Sequence, residues 1–190
     1  MKYTTNISTH TLEVKQSKFI AWLMPYKDYE TTLERLKEQH PKARHFVTAF
    51  RYLNEFDQIV EHSSDDGEPK GTSGKPSLMV LQGQELINSA VIIVRYFGGT
   101  KLGMGGLVRA YSDVVNLVLQ EAEFKEYKKE KFTTIEMEYS DSRFIDYECE
   151  SFGIDILEKI FDTKIIYKIK GAEQSMLVFL EKVKRVVKTL

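Results

Sequence analysis

Val91-Ile92-Ile93-Val94-Arg95-Tyr96-Phe97-Gly98-Gly99-Thr100-Lys101-Leu102-Gly103-Met104-Gly105-Gly106-Leu107-Val108-Arg109-Ala110-Tyr111 decides the fold of the first half of the chain. The apolar run Val91 to Val94 belongs to a strand predicted over 89–96, and its continuity argues for burial on both faces. Five glycines in the nine residues 98 to 106 then open a turn. Beyond it Leu107, Tyr111, Val114 and Val118, with Val108, Val115 and Leu119, form a wide apolar helical stripe to about residue 120. A glycine loop in that position brings bare backbone N–H groups up to a ligand, and the helix behind it aims the positive end of its dipole at the same place. Arg95, Lys101 and Arg109 surround the loop. Two readings follow: a site for an anion such as phosphate, or glycines that only permit tight packing of strand on helix. Arg109, in the first turn of the predicted helix, opposes the dipole; either Asp113 four residues on or an external anion would offset it.

The loop is not a standard nucleotide motif. Gly98 and Gly103 have the outer spacing of a P-loop, but Met104-Gly105 stands where Lys and Ser/Thr should follow. As a dinucleotide fingerprint Gly103-x-Gly105 lacks its third glycine, since Val108 occupies that place. Neither ATP nor NAD follows.

Upstream, residues 11–24 read as one extended segment stopped by Pro25. Asp28 is placed to cap a helix to about Gln39, ended by His40-Pro41. Phe46 to Leu53 reads as a strand and Ile59-Val60 begins another. The polar loop 61–76 contains Asp65, Asp66 and Glu68 beside His62, enough oxygen ligands for a divalent cation but also ordinary turn chemistry at Asp66-Gly67. These acids would otherwise pair with Lys75, Lys101 or Arg109 and shape the basic site. Gly71-Thr72-Ser73-Gly74-Lys75 is a second donor-rich loop that would line the same cleft, and Pro76 suits the first turn of a short helix. This order of elements implies an α/β domain with helices backing the strands.

Downstream, the charged run Glu121 to Lys131 reads as a linker or a frayed helix end. Thr133, Ile135, Met137 and Tyr139 alternate with polar residues as a half-buried strand. A helix to about Phe152, strands near 154–161 and 164–170, and a last helix carrying Met176, Leu180, Val183 and Val187 complete a small ferredoxin-like α+β unit. Lys164, Lys168 and Lys170 share a strand face without stacking aromatics, and Glu136 and Glu138 are placed to pair with them. The expected domains are 1–124 and 131–190.

The totals bound the function classes. The 190 residues carry a net charge of −1, so any attraction for nucleic acid has to be local. Cys149 is the only cysteine, flanked by Glu148 and Glu150, which disfavours a thiolate and leaves it a structural role. No apolar run approaches a membrane span and the N-terminus lacks an apolar signal core, so the expectation is a cytosolic protein. His40 and His45, flanking Lys42 and Arg44, read as helix-end and strand-edge residues. No Gly-x-Ser-x-Gly elbow serves Ser64 or Ser73 as a nucleophile.

Three blocks carry a family resemblance: Ser17-Lys18-Phe19-Ile20-Ala21; Ser64-Asp65-Asp66-Gly67-Glu68-Pro69 with Gly71-Thr72-Ser73-Gly74-Lys75-Pro76; and Arg95 to Gly103 with Gly105 to Tyr111. Together they resemble the IMPACT/YigZ family, in the form that lacks the RWD domain of eukaryotic members. Lys70 and Ser73 depart from the family's commoner small residue and Ala. The resemblance implies an N-terminal domain similar to elongation factor G domain IV and a ferredoxin-like C-terminal domain similar to its domain V. Eukaryotic members are translation regulators that restrain a starvation-sensing kinase, a partnership that does not carry over without the RWD domain. The expectation is a protein, leaning non-enzymatic and with no cofactor or metal, that binds RNA or the ribosome. Phosphate would be held by Lys75, Arg95, Gly98, Gly99, Lys101, Gly103, Gly105, Gly106 and Arg109, supported by Asp65, Asp66, Glu68, Thr72 and Ser73. The alternatives are a small-molecule phosphotransferase or hydrolase with a loop like that of the GHMP kinases, or a protein-interaction module.

Overall fold

The computed structural model describes all 190 residues, Met1–Leu190, which divide into two compact units, Met1–Tyr127 and Lys128–Leu190. The first runs β1 (Lys2–Thr4), β2 (Ser8–Val14), β3 (Ser17–Pro25), α1 (Tyr29–Gln39), β4 (His45–Leu53), β5 (Ile59–Ser64), α2 (Gly74–Gly83), β6 (Ser89–Tyr96), α3 (Gly103–Gln120) and β7 (Phe124–Glu126). Five strands form one sheet in the order β2-β3-β6-β4-β5, and every neighbouring pair is antiparallel. β1 and β7 pair separately.

Strand alternation distributes the core to both faces of the five-stranded sheet. Phe19, Ala21, Leu23, Val47, Ala49, Val91 and Ile93 pack with Leu81 of α2 and with Leu107, Tyr111, Val114 and Val118 of α3. On the other face Met24, Ala90 and Ile92 pack with Leu36 of α1, bordered by Trp22, Tyr29 and Phe50. The continuous apolar run of β6 is thus covered on both sides, as its composition demands. It lies in an antiparallel sheet all the same: such a run reports cover on both faces and carries no information on strand direction.

Three local differences from the sequence-based expectation matter. The segment expected to be continuous over 11–24 is a hairpin, folded back at Lys15 and Gln16, whose φ angles of 46° and 65° are those of a tight two-residue turn. α3 begins at Gly103, four residues before Leu107, so Arg109 lies in its second turn rather than its first. The charged run after α3 contains β7, held by its pairing with Lys2–Thr4.

The second unit runs β8 (Glu130–Met137), α4 (Ser142–Phe152), β9 (Asp155–Phe161), β10 (Ile165–Ala172), α5 (Glu173–Val183) and β11 (Val187–Thr189). This βαββαβ succession forms an antiparallel sheet in the order β11-β8-β10-β9. Ile135, Met137, Ile165, Tyr167 and Ile169 meet Ile145 and Cys149 of α4 and Met176, Phe179 and Val183 of α5 on one face. Val187 was expected to extend the last helix; it instead pairs with Met137 as the first residue of β11. The pairing supplies the free edge of β8 with a partner, which the helical spacing of one valine does not outweigh.

Candidate functional site

Two stretches expected to line one cleft, residues 65–75 and 98–109, do different things with their polar groups. The first is tied down by its own carboxylates. Asp65 accepts from the N–H of Gly71 (2.7 Å), the N–H and Oγ of Ser73 (3.1 and 2.7 Å) and the N–H of Gly74 (2.8 Å). Gly74 is the first residue of α2, so Asp65 places a negative charge on that helix's N-terminus. Burial works against the ionised form, yet the bonds from Gly71, Ser73 and Gly74 outweigh it and hold the Asp65 carboxyl below its ordinary value. Thr72 Oγ1 donates to the carbonyl of Pro69 at 2.7 Å. The donors of Gly71 to Gly74, expected to line the same cleft, are occupied from inside; Lys75 alone is exposed there.

Glu68 makes the second tie. It is 8% exposed, and its Oε1 accepts from Arg95 Nη1 of β6 and from Tyr111 Oη of α3, the latter at 2.8 Å. His45 lies opposite Arg95 across β4 and β6 and brings Nε2 to 4.0 Å from the same oxygen. Its Nδ1 is bonded to the carbonyl of Asp66 at 2.8 Å, while Asp66 Oδ2 accepts the N–H of Phe46 at 2.6 Å. Burial, and then the Glu68 charge, push the Tyr111 hydroxyl well above its ordinary range, so it stays a donor. The expected partners of these acids were Lys75, Lys101 or Arg109. The partner of Glu68 is instead Arg95, because a guanidinium 6% exposed in a doubly covered strand requires a counter-charge. A signal for this was present: Arg95 closes an apolar run, and Tyr111 lies on the buried stripe of α3.

The second stretch is left open. Gly98 is needed for close approach, since a Cβ there would lie 2.0 Å from the carbonyl carbon of Gln16, and its N–H donates to Ser17 Oγ at 3.1 Å. Gly98 and Arg95 are therefore committed to the fold. From Gly99 onward the loop is exposed except for the half-buried Leu102 and Gly106. Gly103 has φ +72°, a turn that L-residues rarely make, and leads directly into α3. Leu102, in the cap position before that helix, makes no side-chain cap, and the first turn holds no acidic residue. The N-terminal N–H groups of an α-helix have no partner within it. Lys75, Lys101 and Arg109 are exposed and make no ion pair; Arg109 has none with Asp113. Gly99, Gly105 and Gly106 stay with this open stretch.

Elsewhere, His40 Nδ1 bonds Tyr96 Oη at 2.8 Å just past the end of α1, the helix-end role expected of it. In the second unit Lys164 pairs with Glu138 and Glu136, as expected, but Lys168 pairs with Glu158 and Lys170 with Glu130. Phe132 stands across from Lys170, an aromatic neighbour that was not expected. Burial, then Asp146 and Glu148, push the Cys149 thiol up to about 11, in keeping with a structural role. No helix is long and apolar enough to cross a membrane.

Known proteins bear on this architecture. The model of the Impact N-terminal domain matches residues 15–119, the span that holds both stretches. An IMPACT family member of Haemophilus influenzae is 36% identical over 156 residues, covering 80% of this chain and 76% of that protein. The IMPACT family member YigZ of Escherichia coli is 40% identical over 112 residues, 57% of this chain and 55% of that protein. A crystal structure of a hypothetical protein superposes with a TM-score of 0.69 at 26% identity, covering 100% of this chain and 95% of that one. On sequence, and with a solved structure of the same overall fold beside it, the chain belongs to the IMPACT family.

Proposed function

We propose that this chain is a cytosolic protein that binds RNA, on the ribosome in particular, and modulates translation without catalysing a reaction. The observation that carries the proposal is the uncapped start of α3, with exposed Lys101 and Arg109 beside it. Backbone N–H groups from Gly103 to Gly106 would meet phosphate oxygens, and Gly99, Lys75, Lys101 and Arg109 would complete the site. Contacts of this kind position a nucleic acid and do not read its sequence. The resemblance of the two units to elongation factor G domains IV and V, folds that meet RNA in translation, belongs to the same proposal. Asp65, Asp66 and Glu68 support it by fixing the neighbouring loop. A phosphotransferase would need these carboxylates for a cation, and each already faces donors of the protein.

The test is sedimentation of cell lysate through sucrose gradients at low and moderate salt. Wild type comigrates with ribosomal particles at low salt and leaves them as salt rises, because each neutralised phosphate releases counterions. A Lys101→Glu/Arg109→Glu variant stays at the top. Wild type at the top under both conditions would refute ribosome binding.

A further inference from the structure

The two units differ in how much apolar surface they leave in water. Ten large apolar side chains are exposed in the second unit and eight in the first, although the second has 63 residues against 127. Six of the ten are spread over the helices, the turn before α4 and the strand end; the other four, Phe132, Leu157, Ile160 and Leu190, gather at one sheet face, and a contiguous apolar patch of that kind marks an interaction surface. α4 and α5 cover one face of the β11-β8-β10-β9 sheet and leave the other open. On the open face Phe132 is 64% exposed, and Ile166 stands across from Ile160. Leu157, 56% exposed, is the extra residue where the β9–β10 register shifts. Beside them runs a groove of about 340 Å³, lined by Phe132, Thr134, Leu157, Lys168, Thr189 and Leu190.

The charges of this face argue for the occupant. Lys168 pairs with Glu158 at 2.7 Å, Lys170 with Glu130 at 2.9 Å and Lys164 with Glu138 at 2.8 Å. Residues 128–190 hold 12 basic and 12 acidic side chains, so no net field draws a polyanion to the unit. We propose that the open sheet face is a self-association surface on which a second copy of this chain docks, each Phe132 ring entering the groove of the other copy. A two-fold interface requires a projection and a recess on the same patch, and this face has both. Balanced Lys–Glu pairs let two identical faces approach without repulsion and exchange partners across the interface. Burial of Phe132, Leu157 and Ile160 supplies the driving force.

Sedimentation velocity of the full chain across the micromolar range tests this. Wild type shifts from monomer to dimer with concentration, while Phe132→Asp and, independently, Leu157→Asp remain monomeric with unchanged circular dichroism. Wild type monomeric throughout, or a dimer that persists in both variants, overturns the proposal. A fluorescent oligouridine binding wild type and released by Phe132→Asp, with no change in mass, would assign the face to RNA and overturn it equally. Lys101→Glu/Arg109→Glu should dimerise like wild type, which keeps this test apart from that of the α3 site.

Discussion

α2 and α3 begin at glycine-containing turns in the same unit, and they treat their N-terminal N–H groups in opposite ways. At the start of α2 the protein supplies its own anion: Asp65 accepts from Ser73, Gly74 and Gly71. At the start of α3 nothing in the chain takes that place, and Leu102 has no side chain able to cap. The family blocks resemble each other in glycine content and neighbouring lysines, yet the first is bonded to a carboxylate of the chain and the second has no side-chain cap. Glycine and charge in a loop therefore do not identify a binding site. What distinguishes the two is whether a carboxylate of the same chain has claimed the donors.

The largest effect is expected at Glu68, which links the filled loop to β6 and, through Tyr111, to α3. Glu68→Ala leaves the Arg95 charge buried and uncompensated and should cost about 3–5 kcal/mol in urea unfolding. A loss under 1 kcal/mol would mean that the pair does not organise this region. Asp65→Ala strips three N–H groups of their acceptor and should cost about 2 kcal/mol by the same measurement. Asp65 is also a proton-linked tie. Its carboxyl is held below the ordinary value, so its contribution is present above the ordinary carboxylate range and lost as pH falls through the lower folded value. The stability gap between wild type and Asp65→Asn should accordingly close on acidification from about pH 5 toward pH 2. A gap independent of pH would remove charge from the explanation.

Smaller effects sharpen the contrast from the other side. Met104→Asp puts a carboxylate in the first turn of α3, making it resemble α2. It should stabilise the protein by about 0.3–1 kcal/mol while abolishing the proposed salt-sensitive RNA binding. Lys101→Glu/Arg109→Glu should change stability by no more than about 0.5 kcal/mol, since both side chains are exposed and unpaired. A large loss of stability would show these cations to be structural.

The apolar run of β6, the helical stripe of α3 and the strands and helices from Thr133 to Val183 were legible because burial imposes a period on sequence. The Lys15-Gln16 hairpin was not, since its left-handed turn lacks the Asn or Gly that announces one. The start of α3 was hidden for a related reason: Gly105 and Gly106 are poor helix formers, yet both lie in the helix. In the site, the open donors and exposed cations were visible as composition. The division of labour was not, because Asp65, Glu68, His45, Arg95 and Tyr111 meet only through the sheet order β6-β4-β5 and the packing of α3. An arginine at the end of a doubly buried strand is the clue that generalises, for it demands a partner from elsewhere in the chain.

If the start of α3 is open to an external anion and the start of α2 is not, the two should respond differently to an oligonucleotide. Nuclear magnetic resonance of the ¹⁵N-labelled chain, titrated with a short oligouridine at low salt, tests this most directly. The amide resonances of Gly103, Met104, Gly105 and Gly106 should shift and return as salt is raised, while those of Gly71, Ser73 and Gly74 stay in place. Shifts confined to Gly71–Gly74, or none at either helix start, would contradict this.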